Sequence, residues 1–288
     1  MRHAWLALRE RLFGIAPWDA ARISDEWFRA HFDYAAEVVH AWLADVLDVR
    51  TARLLNFGCG DGISDLALVL RHGATRIHGV DIRREYAKLP RIAREQLGMA
   101  RIPAALTFET IAPGAPLAGR HRSVDGIMSW STFEHVRRDQ LLPIFRDLHA
   151  CLRPGGVFFL QIEPLFYSPW GSHLRRYIEA PWQHLLVPED ELWREIETHE
   201  GPIAADEVDF GFADFGVQGY KRFVFEQYRE LNRLTADELV ALVQQAGFAV
   251  QRQERRSVGV QPPPELVERH GAEVLRNNEI FLLLRREK

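Results

Sequence analysis

RTARLLNFGCGDG, Arg50 to Gly62, is the stretch on which the fold of this 288-residue chain turns. Leu54, Leu55 and Phe57 read as a buried strand, and Gly58-x-Gly60-x-Gly62 opens directly into the helical pattern Ile63 to Leu70. A glycine turn between a buried strand and a helix leaves backbone N–H groups free and lets a ligand approach the main chain. A second strand, Arg76-Ile-His-Gly-Val, ends on Asp81, 19 residues beyond Gly62. An acid at that place can grip a ribose through its hydroxyls. Strand, glycine loop, helix, strand and acid form the start of a nucleoside-binding unit.

Outward from this unit the strand–helix alternation continues. Strands are expected near 53–57, 76–81, 105–109, 124–129, 157–163, 249–257 and 279–285, with helices between them. Pro90 is placed to start a helix that stops at Gly98, Asp139 to cap the next, and Arg153-Pro-Gly-Gly to end it. Thr235 and Glu238 form a capping box for a late helix. The alternation predicts an α/β fold: a Rossmann-like, seven-stranded, mostly parallel sheet with helices on both faces. Residues 1–49 read as leading helices, the clearest from Asp33 to Val46, with Val38, Val39, Trp42, Leu43 and Val46 at helical spacing. Phe32 and Tyr34 carry no functional signal of their own in that stripe.

The glycines run G-x-G-x-G, and Ile63 stands where the dinucleotide fingerprint has its last glycine. No Tyr-x-x-x-Lys pair follows the fourth strand, which disfavours a nicotinamide oxidoreductase further. LLNFGCGDG (54–62), GVDI (79–82), VDGIMSWSTFEHV (124–136), LRPGGVFFLQIEP (152–164) and LTADELVALVQQAGF (234–248) instead resemble, in order and spacing, the class I S-adenosylmethionine (SAM)-dependent methyltransferases that act on small molecules. The resemblance covers about 50–163 and 234–288, the expected SAM-binding core. It implies SAM as cofactor, with Asn56, Phe57, Gly58, Cys59 and Gly60 toward its methionyl end and Asp81 on the ribose hydroxyls. Ile82 and Trp130 would pack on the cofactor, Ser129 would line the opposite wall, and Thr110 would stand near the adenine amino group. Two departures accompany it: the family usually carries an acid where Asn56 stands, and often an aspartate after the third strand, where this chain has Glu109-Thr110-Ile111. They motivate the alternative of a catalytically silent SAM-binding scaffold.

Between Pro164 and Arg233 the alternation breaks into an aromatic-rich segment punctuated by proline and glycine. So long a stretch without structure is improbable, so it is expected to be a helical lid, leaving the sheet at the edge where such folds bind ligands. Its alternative is an oligomerisation surface, and a homodimer fits that reading. Most lid aromatics are expected to form the lid's own core. Glu189 to Asp214 holds ten carboxylates against one arginine, which disfavours a polyanionic substrate.

Methyl transfer to an oxygen acceptor needs positioning and, for a hydroxyl, a base. The candidates are His135 after the fourth strand, Glu163 at the end of the fifth, and His173 at the lid entrance, with Glu134 and His184 also in view. His135 reads equally well as a structural histidine. Arg175 and Arg176 could fork a carboxylate or phosphate. No H-x-x-x-H pair has a neighbouring acid and Cys59 and Cys151 stand apart, so no metal is expected. A net charge of −4 gives no reason to expect nucleic acid, and two cysteines make a reducing cytoplasm the expected compartment. No apolar run reaches the ~18 residues of a membrane span. The amphipathic start MRHAWLALRERLFG is expected to pack on the domain.

Overall fold

The computed structural model describes residues 2–201 and 216–287. Phe210, Phe212, Phe215 and the end of the acidic run lie outside the described residues. The first strands are β1 (Leu54–Phe57), β2 (Ile77–Asp81), β3 (Leu106–Thr110) and β4 (Val124–Trp130); β5 (Leu152–Ile162), β6 (Phe248–Ser257) and β7 (Asn277–Arg286) follow. They form one mostly parallel sheet in the order β3-β2-β1-β4-β5-β7-β6. β1 pairs in parallel with β2 and β4, and β2 with β3. After β3 the chain crosses to the other side of β1, so the switch point, where such sheets bind ligands, lies between the ends of β1 and β4.

Residue type explains each strand's place. β7 carries Ile280, Phe281, Leu282, Leu283 and Leu284 in succession, all buried, as an inner strand covered on both faces requires. β6, at the sheet edge, instead reads Gln251-Arg-Gln-Glu-Arg-Arg256, and charges there discourage pairing with another chain. The helix before Arg153-Pro-Gly-Gly ends at Cys151, as expected, and the four residues themselves lie in β5. Helix α6 (Arg138–Cys151) runs straight into β5, and Gly155 takes φ +76° within the strand.

The leading segment contains α1 (Arg2–Phe13), α2 (Glu26–Arg29) and α3 (Ala36–Leu43), with a π-helical turn at Ala30–Ala35 joining α2 to α3. The expected helix from Asp33 to Val46 is therefore wider in its first turn and ends at Leu43. The wider turn buries Phe32 but leaves Tyr34 half exposed. α4 (Ile63–His72) starts where the sequence predicts and runs two residues past Leu70, and α5 (Leu89–Leu97) has Pro90 in its opening turn and Gly98 left-handed behind it, as expected.

By compactness the chain forms two units: one is Met1–Trp130, Arg146–Leu160 and Leu283–Lys288, the other Ser131–Phe145 and Gln161–Leu282. The second unit holds α7 (Gln183–Leu186), α8 (Glu189–Thr198), α9 (Gly216–Glu230), α10 (Ala236–Gln245), α11 (Pro264–His270) and α12 (Ala272–Arg276). α10 begins with the full Thr235–Glu238 capping box. Phe166, Leu174, Tyr177, Leu192, Ile196, Tyr220, Phe225 and Tyr228 make a shared core there, so these aromatics pack on one another. Burying a large apolar side chain contributes ~1.5–3 kcal/mol, so this cluster offsets much of the cost of ordering these helices. No described helix is long and apolar enough to cross a membrane.

Candidate active site

In the first unit, Gly58, Gly60 and Gly62 take φ of +76°, +53° and +79°, the left-handed region that glycine enters without strain. Gly62 has a second reason to be glycine: a Cβ there would lie 2.8 Å from Phe108 Cζ. A Cβ on Gly60 would meet nothing within 4 Å, so the middle of the loop faces open space. Asp81, at the end of β2, accepts from Gly60 N at 2.9 Å through Oδ2 and from Arg83 N at 2.8 Å through Oδ1. The two backbone donors fix the carboxylate, and each oxygen keeps accepting capacity for another hydroxyl.

Asn56 is buried, and its Nδ2 donates to Asp65 Oδ1 at 2.8 Å. Asp65 sits on α4, fully buried, with Oδ2 lacking a hydrogen bond, and burial pushes its pKa up to about 7. The acid missing at position 56 thus reappears nine residues later, hydrogen-bonded to the side chain that replaced it. Its signal was an aspartate among the apolar residues of Ile63 to Leu70.

Around the loop, Trp27 Nε1 donates to Asp61 Oδ2 at 2.9 Å, and Asp61 Oδ1 accepts from Ile63 N. Tyr34 meets Trp130 edge-on, with ring centroids 5.9 Å apart. Ile82 is exposed, and Tyr86 stacks on Phe108 with its hydroxyl 2.6 Å from Thr110 Oγ. The Ser129 hydroxyl is spent inside the protein: it is buried and donates to the Phe57 carbonyl at 2.8 Å. Burial also pushes the Cys59 thiol up, which makes it an inert turn residue. Trp27, Asp61, Asp65 and Tyr86 were not singled out from the sequence and Tyr34 was set aside there; Trp27, Tyr34 and Tyr86 come from elements that only the fold brings to the loop.

The second unit gathers the expected proton-handling groups. The rings of His135 and His173 lie 5.0 Å apart, and ligand atoms of both and of Glu134 fall within 4.8 Å of one another. Burial pushes Glu134 up to about 8, and neither of its carboxyl oxygens has a hydrogen bond. Burial, and secondarily His135, pushes His173 down to about 3; its Nε2 is buried without a hydrogen bond. Glu134 is therefore a neutral acid at pH 7 and His173 a neutral imidazole. Glu163 accepts from Asn278 Nδ2 at 2.9 Å, and burial raises its pKa. His184 Nε2 lies 2.8 Å from the Phe166 carbonyl and so donates to it, and burial lowers its pKa to about 4, so it is a structural residue. Arg175 lies over the Trp170 ring at 4.4 Å.

This arrangement has known counterparts. The methyltransferase-domain family matches residues 27–253, most of the chain. The chain belongs to that family. That match bears out the methyltransferase resemblance read from the sequence. The trans-aconitate 2-methyltransferase of Azoarcus sp. (strain BH72) is 32% identical over 166 residues, covering 58% of this chain and 57% of that protein. The trans-aconitate 2-methyltransferase of Rhodopseudomonas palustris (strain BisB18) is 30% identical over 178 residues, covering 60% and 61%. The matched stretch thus spans about three fifths of the length of these curated relatives. In fold, the SAM-dependent methyltransferase from Anabaena variabilis ATCC 29413 superposes with a TM-score of 0.53 at 13% identity, covering 98% of this chain and 93% of that one.

The loop geometry separates two substitutions in this methyltransferase. Gly62→Ala should lower stability by ~1–3 kcal/mol, since left-handed strain adds to the clash with Phe108. Gly60→Ala should cost the left-handed strain alone, ~1–2 kcal/mol and less than Gly62→Ala, in the free protein but weaken cofactor binding, because its methyl group enters the open space before the loop. Thermal melts with and without S-adenosylhomocysteine distinguish them; equal stability losses for both would contradict the packing assigned to Gly62.

Proposed function

We propose that this methyltransferase transfers the methyl group of SAM to an oxygen of a small-molecule acceptor. The observation that carries the reading is the glycine-loop–Asp81 cradle of the first unit, whose carboxylate is held by two backbone donors and keeps accepting capacity for hydroxyls. The curated relatives point the same way, since trans-aconitate is a small carboxylate-bearing molecule.

In this proposal the open face of Gly58–Gly62 takes the methionyl end and Asp81 the ribose hydroxyls, while Ile82, Thr110 and Trp130 border the rest. Asn56, held by Asp65, offers its carbonyl oxygen to the ammonium. When bound, SAM supplies an activated methyl group whose leaving thioether needs no acid. The chain's own part is then to hold an oxygen in line and remove its proton where it has one. Glu163 suits that role, since its raised pKa brings it nearer neutrality and Asn278 fixes its orientation. His135 and His173 act as hydrogen-bonding groups for the acceptor, His173 being too weak a base to carry a proton at pH 7.

The test is a methyl-transfer assay with isotopically labelled SAM against trans-aconitate and a panel of small hydroxylated and carboxylated compounds. Labelled ester or ether product is expected. Glu163→Gln should cut turnover on a hydroxyl acceptor by ~10²-fold or more while leaving S-adenosylhomocysteine affinity unchanged. Label appearing only on nitrogen or carbon, or no transfer by a protein that binds the cofactor, would overturn the reading. The second outcome would favour the silent scaffold.

A further inference from the structure

We infer that His78, Glu109 and His121 form a binding site for a divalent transition-metal ion of the zinc type, distinct from the glycine loop and Asp81. His78 in β2 stands opposite Thr107 in β3, and Glu109 lies two residues further along, so pleating brings all three side chains to one face. His121, from the segment after β3, stacks on His78 with ring centroids 4.5 Å apart. Both histidines present Nε2 to the same oxygen, Glu109 Oε2, at 3.2 Å for His121 and 3.5 Å for His78. The three ligand atoms all lie within 4.8 Å of one another. A tetrahedral zinc ion with bonds near 2.0–2.1 Å sets its ligands about 3.3–3.4 Å apart, so two of the three edges already have nearly the required length.

The hydrogen bonds decide which nitrogen of His78 is bare. The Thr107 hydroxyl oxygen lies 2.8 Å from His78 Nδ1 and can accept its N–H, which leaves Nε2 as the ligating nitrogen. Nε2 is buried and faces Glu109 Oε2 at 3.5 Å. A metal ion meets both ligands, with Thr107 in the outer position that orients a ligating histidine. Arg120 pairs with the other oxygen, Glu109 Oε1, and leaves Oε2 to the ion.

The two other acid–histidine groups lack this combination. Glu37 Oε2 already carries Arg71 at 3.3 Å, and burial keeps Glu134 protonated. An ion at His78, Glu109 and His121 would staple the segment after β3 to β2, whose ends carry Thr110 and Asp81. None of this was legible in ligand spacing, because the three residues lie 31 and 12 positions apart.

Calorimetric titration of the chelator-treated, full-length chain with zinc chloride tests the site. One equivalent is expected to bind at micromolar affinity or tighter and to raise the melting temperature. His121→Ala and Glu109→Gln should each weaken zinc binding at least ~10-fold, the lower bound for disturbing a metal's surroundings, with S-adenosylhomocysteine affinity unchanged. Circular dichroism confirms that both variants fold. Absence of tight zinc binding in the parent protein, or binding that both variants leave intact, overturns the inference; the second result would place the ion at another cluster.

Discussion

Replacing Asp81 with alanine is expected to weaken S-adenosylhomocysteine binding by about 10- to 150-fold, the equivalent of ~1.5–3 kcal/mol for hydrogen bonds to a charged group. The expectation rests on the proposed ribose contact and on the way Asp81 is held. Its two oxygens accept from Gly60 N and Arg83 N, so the carboxylate is set before any ligand arrives. Alanine removes the acceptor and also frees the Gly60 amide, so the loop itself should loosen. Asp81→Asn keeps one accepting oxygen and should fall between the two. Calorimetry gives the affinities, and a thermal melt separates lost contact from lost fold. Affinity unchanged in a folded Asp81→Ala protein would remove the ribose from this residue.

The second large effect concerns pH. Burial pushes Asp65 up to about 7 and Glu134 up to about 8, whereas in an unfolded chain both ionise near pH 4. Between those values the folded protein holds protons that the unfolded chain has released. This contribution to stability is therefore complete below about pH 4 and lost as pH rises through about 7 and 8. Asn and Gln carry no charge at any pH, so Asp65→Asn and Glu134→Gln should gain on the parent protein as pH rises. Between pH 5 and pH 9 the gain is expected to grow by something on the order of 2–4 kcal/mol for each residue. The two positions share no partner, so the double variant should show about the sum. Melting temperatures measured from pH 5 to 9 check this. A gap between parent and variant that stays constant across the range would mean that neither acid is held protonated.

The sequence was most legible where local rules act alone. Gly58-x-Gly60-x-Gly62 after an apolar strand, the Thr235–Glu238 capping box, and Pro90 and Gly98 around a helix each show themselves within a few residues, and the structure has all of them. The π-helical turn before Ala36 was not legible, because one widened turn leaves the apolar spacing of Val39, Trp42 and Leu43 almost unchanged. Nor was the direct junction of α6 with β5, since Arg153-Pro-Gly-Gly marks the end of the helix yet is itself drawn into the strand. Site residues divide the same way. Asp81 stands at a strand end and is visible; Asp65 is visible as an anomaly but gains meaning only from Asn56, 2.8 Å away in space. Ser129 fits the family's pattern, yet its hydroxyl is consumed by the Phe57 carbonyl. His78, Glu109 and His121 converge through strand register and ring stacking, which no spacing rule encodes.

The most direct test of the account is calorimetric titration of the purified protein with S-adenosylhomocysteine, with NADH as the control ligand. Binding of S-adenosylhomocysteine alone, at micromolar affinity or tighter, is the predicted result. Failure to bind it, or binding of NADH in its place, would contradict the assignment of the glycine loop and Asp81 to a SAM site.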